Sequence, residues 1–114
     1  MMMTQLNTDN LKLLRAALID NLFTKCNIGL ACGGNQRCVI GVCSELSGHP
    51  VPLGLTPTQA SAYYEYAREF LGFEKAGDRG LDAFWRRNDR DGSDSWADMI
   101  SWLDEVIENE GALA

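Results

Sequence analysis

A chain of 114 residues that is 46% apolar and 23% charged can bury a core as one domain and is too apolar for a disordered polymer. Its net charge of −6 and the lack of a basic stripe exclude direct binding to DNA or RNA. No apolar run approaches the roughly 20 residues needed to cross a bilayer, and Met1–Asn10 does not read as a secretory signal, which gives a cytoplasmic expectation without membrane contact.

In chain order, Thr8 reads as the N-cap of a first helix from Asp9 to about Asp20, with Leu11, Leu14, Ala17 and Leu18 on one apolar face. Phe23 to Cys32 alternates briefly between apolar and polar residues, and Gly33-Gly34-Asn35 is a turn signal. A short two-stranded hairpin is expected near residues 22–36. Cys38 to Leu46 reads as a short buried helix, although its β-branched residues also suit a strand; its small residues let a neighbouring backbone come close. Gly48, Pro50, Pro52 and Gly54 mark a connector. Thr56-Pro57-Thr58-Gln59 is a helix start with a capping box and Pro at the first helical position, and the stripe that follows ends at Gly72. A further helix runs from Arg79 to about Arg87 with Leu81, Phe84 and Trp85 as its apolar residues. A last one, capped by Ser95, carries Trp96, Met99, Ile100, Leu103, Val106 and Ile107 to a stop at Gly111. The expected fold is therefore mostly α (small α+β), with four to five helices and one hairpin in a single domain, 1–114. Residues 1–7 and 111–114 are expected to be flexible.

Charge is distributed unevenly along this order. From Asp89 onward eight acids meet one base, Arg90, for a balance of −7, while everything before Asp89 sums to +1. At the start of the last helix Asp94 and Asp98, and within it Asp104 and Glu108, stand four residues apart, where like charges cost roughly 0.2–0.5 kcal/mol a pair. Asp104, Glu105, Glu108 and Glu110 also crowd the end at which the helix dipole favours cations. Burial of a single large aliphatic side chain, worth roughly 1.5–3 kcal/mol, outweighs any one of these penalties. The helix is expected to form and to display a surface that local stability would not select. A solvated face kept for solubility is the plainer account of the same pattern.

Several segments carry a resemblance. Arg37-Cys38-Val39-Ile40-Gly41-Val42-Cys43-Ser44-Glu45-Leu46, preceded by Ala17-Leu18 and followed by Asn88-Asp89, turn residues Arg90 to Asp94, and Ser95-Trp96-Ala97-Asp98-Met99-Ile100, resembles a family of small tailed-phage and bacterial proteins over about Leu11 to Ile107. Val39 stands where that signature has a second Cys, and Trp96 where it has Phe. The resemblance implies a phage or prophage setting and a mixed helical fold. The family has no established activity, so no catalytic residue carries over.

Other constellations are weaker. Cys26, Cys32, Cys38 and Cys43 are separated by five, five and four residues, without the closely spaced pair typical of structural zinc. On a helix, Cys38 and Cys43 point roughly 140° apart. Cys26 and Cys32 can pair across a hairpin, yet a cytosolic chain keeps its thiols reduced, so plain thiols are expected. Asp89, Asp91, Gly92 and Asp98 faintly imitate a calcium loop, but Arg87 takes the first ligand position; a turn and helix cap using Asn88, Asp89 and Ser95 explains the segment better. His49, the only histidine, lies in the connector and is expected at the surface; Tyr63 joins the core stripe and Tyr66 points away from it. No catalytic, cofactor or metal residue is assigned and no enzyme activity is expected. The favoured function is that of a small acidic accessory protein that binds a protein with a basic surface through Asp94, Asp98, Asp104, Glu105 and Glu108, and so obstructs a nucleic-acid-binding host protein. A zinc-stabilised module built on the cysteines, and a small enzyme around Asn88, Asp89, Arg90 and His49, are the alternatives. The sequence does not give the partner's identity or the oligomeric state.

Overall fold

The structure, a computed structural model, describes residues 4–26, 30–73, 80–89 and 95–113. Within them lie β1 (Thr4–Gln5), α1 (Thr8–Ile19), β2 (Thr24–Lys25), β3 (Ala31–Gly33), β4 (Gln36–Arg37), α2 (Val39–Leu46), α3 (Pro57–Leu71), α4 (Gly80–Asp89), α5 (Ala97–Glu108) and β5 (Ala112–Leu113). The mostly helical α+β class expected from the sequence holds. The expected hairpin is present as β3–β4, joined through the Gly34-Asn35 turn, and β2 adds to the other side of β4 in parallel. A three-stranded mixed sheet therefore replaces the two-stranded one.

Helix α1 starts one residue earlier than its sequence suggests, because Asn7 rather than Thr8 is the cap and its side chain accepts from the Asn10 N–H at 3.0 Å. The same corner closes the end of α3. Asn7 N–H donates to the Leu71 carbonyl and the Asn10 amide to the Phe70 carbonyl, supplying donors to the last two carbonyls of the helix. At the other end of α3 the capping box forms as read: Gln59 N–H donates to Thr56 Oγ1 at 3.2 Å, and the Gln59 side chain accepts from Thr56 N–H at 2.9 Å.

Helix α2 is the centre of the molecule. Val39 to Ser44 are all buried, and the helix packs chiefly on α3 with further contacts to α4 and α1. Its small residue is used as anticipated: the Leu30 carbonyl lies so close to Gly41 that an added Cβ would collide with it. Around α2, Leu11, Leu14 and Leu18 of α1, Ala67, Phe70 and Leu71 of α3, Phe84 of α4, and Met99, Leu103 and Val106 of α5 complete one apolar cluster. Trp85, expected on the apolar side of α4, stays exposed.

The final helix differs at its start. Trp96, not Ser95, occupies the cap position; Ser95 Oγ accepts from Ala97 N–H at 3.1 Å. Trp96 is instead buried, and its indole N–H donates to the Phe23 carbonyl at 2.9 Å. A side chain that fills the core and finds an acceptor outweighs a local cap.

The segments 1–7 and 111–114, read as loose ends, include a paired stretch. β1 and β5 run antiparallel with Thr4 opposite Leu113 and Gln5 opposite Ala112. Leu6 and Gly111 are buried beside them, and Leu6 N–H donates to the Gly111 carbonyl at 2.8 Å. Gly111 has φ +80°, and a Cβ there would stand 2.7 Å from the Leu6 oxygen, so both its conformation and its space require glycine. These ends are tied by long-range backbone bonds that no local pattern announces.

Candidate interaction surface

Helix α5 orients its charges by burying the opposite side. Met99, Leu103 and Val106 face the core, and Ala97, Ser101, Asp104, Glu105 and Glu108 make the exposed stripe. Small residues occupy its first half and carboxylates its second, without a basic residue in the last turn.

The five acids of the expected patch do not share one fate. Asp98 is half-buried and forms an ion pair with Arg87 at 3.3 Å; the facing Nε and Oδ2 atoms are buried but are not aligned as a hydrogen bond. Arg87 also lies over the Trp102 ring at 5.6 Å, so Asp98 is held inside a packed contact between α4 and α5. Asp104 pairs with Arg15 of α1, both partners being substantially exposed. An exposed pair of this kind contributes roughly 0–1 kcal/mol, so solvent or another cation competes for it at little cost. Glu105 and Glu108 are exposed, and none of the chain's cations pairs with them among the described residues. Asp94 lies outside the described residues, as do Asp91 and Gly92 of the calcium-like loop. The local sequence, with no base after Arg90, gave no hint of the two internal pairs, because Arg15 comes from the far end of the chain and Arg87 from the preceding helix.

Asn88 bonds to a backbone amide as a helix cap does, but at α2 rather than in the turn that its own segment suggested. It is fully buried at the end of α4. Its Oδ1 accepts from the Val39 N–H at 2.9 Å, and its Nδ2 donates to the Cys26 carbonyl at 2.9 Å and to Asp89 Oδ1 at 3.0 Å. One amide side chain thus caps the first turn of α2 and anchors the strand end at Cys26. An ion pair consolidates the same corner: Arg37 Nε meets Glu45 Oε2 at 2.8 Å, each side chain 12% exposed, and that oxygen also accepts from Val51 N–H at 3.2 Å. Each of these side chains is bonded to backbone or to an opposite charge.

His49 lies past the other end of α2, about 12 Å from the Asn88 contact at 1.5 Å per residue. It is exposed as expected and stacks on Tyr66 with ring centroids 3.6 Å apart; its carbonyl accepts from Ser44 Oγ. Asn88, Asp89 and His49 therefore do not converge on one place. The remaining nucleophile candidates are the cysteines, which divide into two kinds. Cys38 and Cys43 are buried free thiols, and burial raises Cys38 to about 11 and Cys43 further, so both stay protonated at neutral pH. Cys26 and Cys32 are joined as a disulfide with Cα atoms 6.1 Å apart, which corrects the expectation of four plain thiols. That expectation followed from an assumed compartment, whereas the fold brings the two residues within bridging distance. Among the described residues no three His, Cys, Asp or Glu side chains are grouped to hold a metal, and no helix is long and apolar enough to cross a membrane.

No protein-family model, curated protein or solved structure matches the chain.

Proposed function

We propose that the protein is a small acidic accessory protein that binds a partner protein with a basic surface through the outer face of α5, and that it obstructs that surface. The observation that carries this reading is the pair Glu105 and Glu108, held outward by the buried Met99–Val106 side and met by no internal cation among the described residues. Asp104 extends the patch, since its exposed pair with Arg15 can exchange for a partner's lysine or arginine. Asp98 contributes less, being engaged by Arg87 in a packed contact. The carboxylates span about one turn, roughly 5 Å, and suit a compact basic patch better than a long phosphate-binding groove. The phage setting, and with it a host protein as the target, rests on the motif resemblance; that the target binds nucleic acid rests on the fit of a carboxylate patch to a basic surface.

The test is a pull-down from host lysate at low and high ionic strength, comparing the natural chain with Glu105→Lys/Glu108→Lys. A partner lost both on charge reversal and at high salt supports the reading. If every captured protein is retained equally by both chains, the acidic face has no part in binding.

A further inference from the structure

The Cys26–Cys32 bond joins two residues of unequal exposure and unequal attachment. Cys26 is buried, its N–H donates to the Arg37 carbonyl at 2.9 Å, and its own carbonyl is held by Asn88. Cys32 is exposed on β3, at the register shift where Ala31 pairs with Arg37 and Gly33 with Gln36. A bulge of this kind re-aims the side chain of the extra residue and weakens the ladder beside it. Among the described residues β3 is an edge strand whose sheet neighbour is β4, and a nearby bond runs from Cys38 N–H to the Leu30 carbonyl at 3.2 Å. That same carbonyl seats against Gly41, and Leu30 and Ala31 form one wall of an open hollow lined also by Pro52, Gly54, Leu55, Ala60 and Tyr64.

We infer that the Cys26–Cys32 disulfide is a reducible clasp that fastens the β3 edge and Leu30 to the core, so that its reduction by a dithiol loosens one wall of this hollow. The inference is independent of the acidic face. Attack falls on Cys32, the exposed half. A thiolate of the dithiol forms a bond to Cys32 Sγ, the Cys26–Cys32 bond breaks, and Cys26 leaves as a thiolate that takes up a proton. The reagent's second thiol then displaces Cys32 as a thiol and closes the reagent's own disulfide, two electrons having passed to the protein. Cys26 stays in place through its bonds to Arg37 and Asn88, and the freedom gained falls on β3. Cys38 and Cys43, buried and protonated, take no part.

The test is amide hydrogen exchange on the full chain with and without dithiothreitol, alongside alkylation after denaturation. Protein purified without reductant is expected to yield two alkylated cysteines, Cys38 and Cys43, and all four after reduction. Reduction is expected to speed exchange of the Cys38 N–H, which is bonded to Leu30, roughly tenfold or more. The Val39 N–H, bonded to Asn88, is expected to keep its rate, and Cys32→Ser without reductant is expected to behave like the reduced chain. Four reactive thiols before reduction would overturn the clasp. So would unchanged exchange at Cys38, or equal acceleration at Val39, which would mark a staple of the whole fold.

Discussion

The two polar regions of this molecule use charge and hydrogen bonding in opposite ways. At the corner formed by Cys26, Arg37, Glu45 and Asn88, each polar side chain is buried or nearly so, and each is bonded to backbone or to an opposite charge. On the outer face of α5 the carboxylates stand in water, two without an internal partner among the described residues and one with an exposed one. The first region is costly to disturb, because removing one member leaves another buried and unpaired. The second can change sign at little cost to folding. A residue type alone does not tell the two apart: Asn88 and Glu45 look like surface residues in the sequence and act as core, whereas Glu105 and Glu108 are what they look like.

The largest effect is expected at Asn88. Asn88→Ala strands the Val39 amide in a buried site and removes the bond to the Cys26 carbonyl. An orphaned buried amide costs roughly 1–3 kcal/mol and a lost hydrogen bond about 1 kcal/mol, so a loss of about 3 kcal/mol is expected in urea unfolding. A loss below about 1 kcal/mol would mean that water reaches this corner. Gly41→Ala comes next. The added methyl meets the Leu30 carbonyl and forces a backbone shift, with an expected loss of about 2 kcal/mol by the same measurement.

What the sequence disclosed follows the range of the interactions. The Thr56 capping box, the buried Cys38–Leu46 helix and the apolar side of α5 are set by neighbours three or four residues away, and spacing reveals them. Asn88 reaches Val39 across 49 residues and Cys26 across 62, and Arg15 reaches Asp104 across 89, so no window of the chain contains both partners. The same holds for the β1–β5 pairing and for β2, whose parallel alignment with β4 needs β3 on the other side. Of the acidic face, the outward direction of Asp104, Glu105 and Glu108 was legible from the apolar stripe. The neutralisation of Asp98 and Asp104 was not, because it depends on how α1 and α4 pack beside α5.

The smallest effect is expected at the acidic face. Unfolding of Glu105→Lys/Glu108→Lys in urea should give a stability within about 0.5 kcal/mol of the natural chain, or above it, since cations suit the end of a helix. A loss of about 2 kcal/mol or more would show that these carboxylates serve the fold and are not available to a partner.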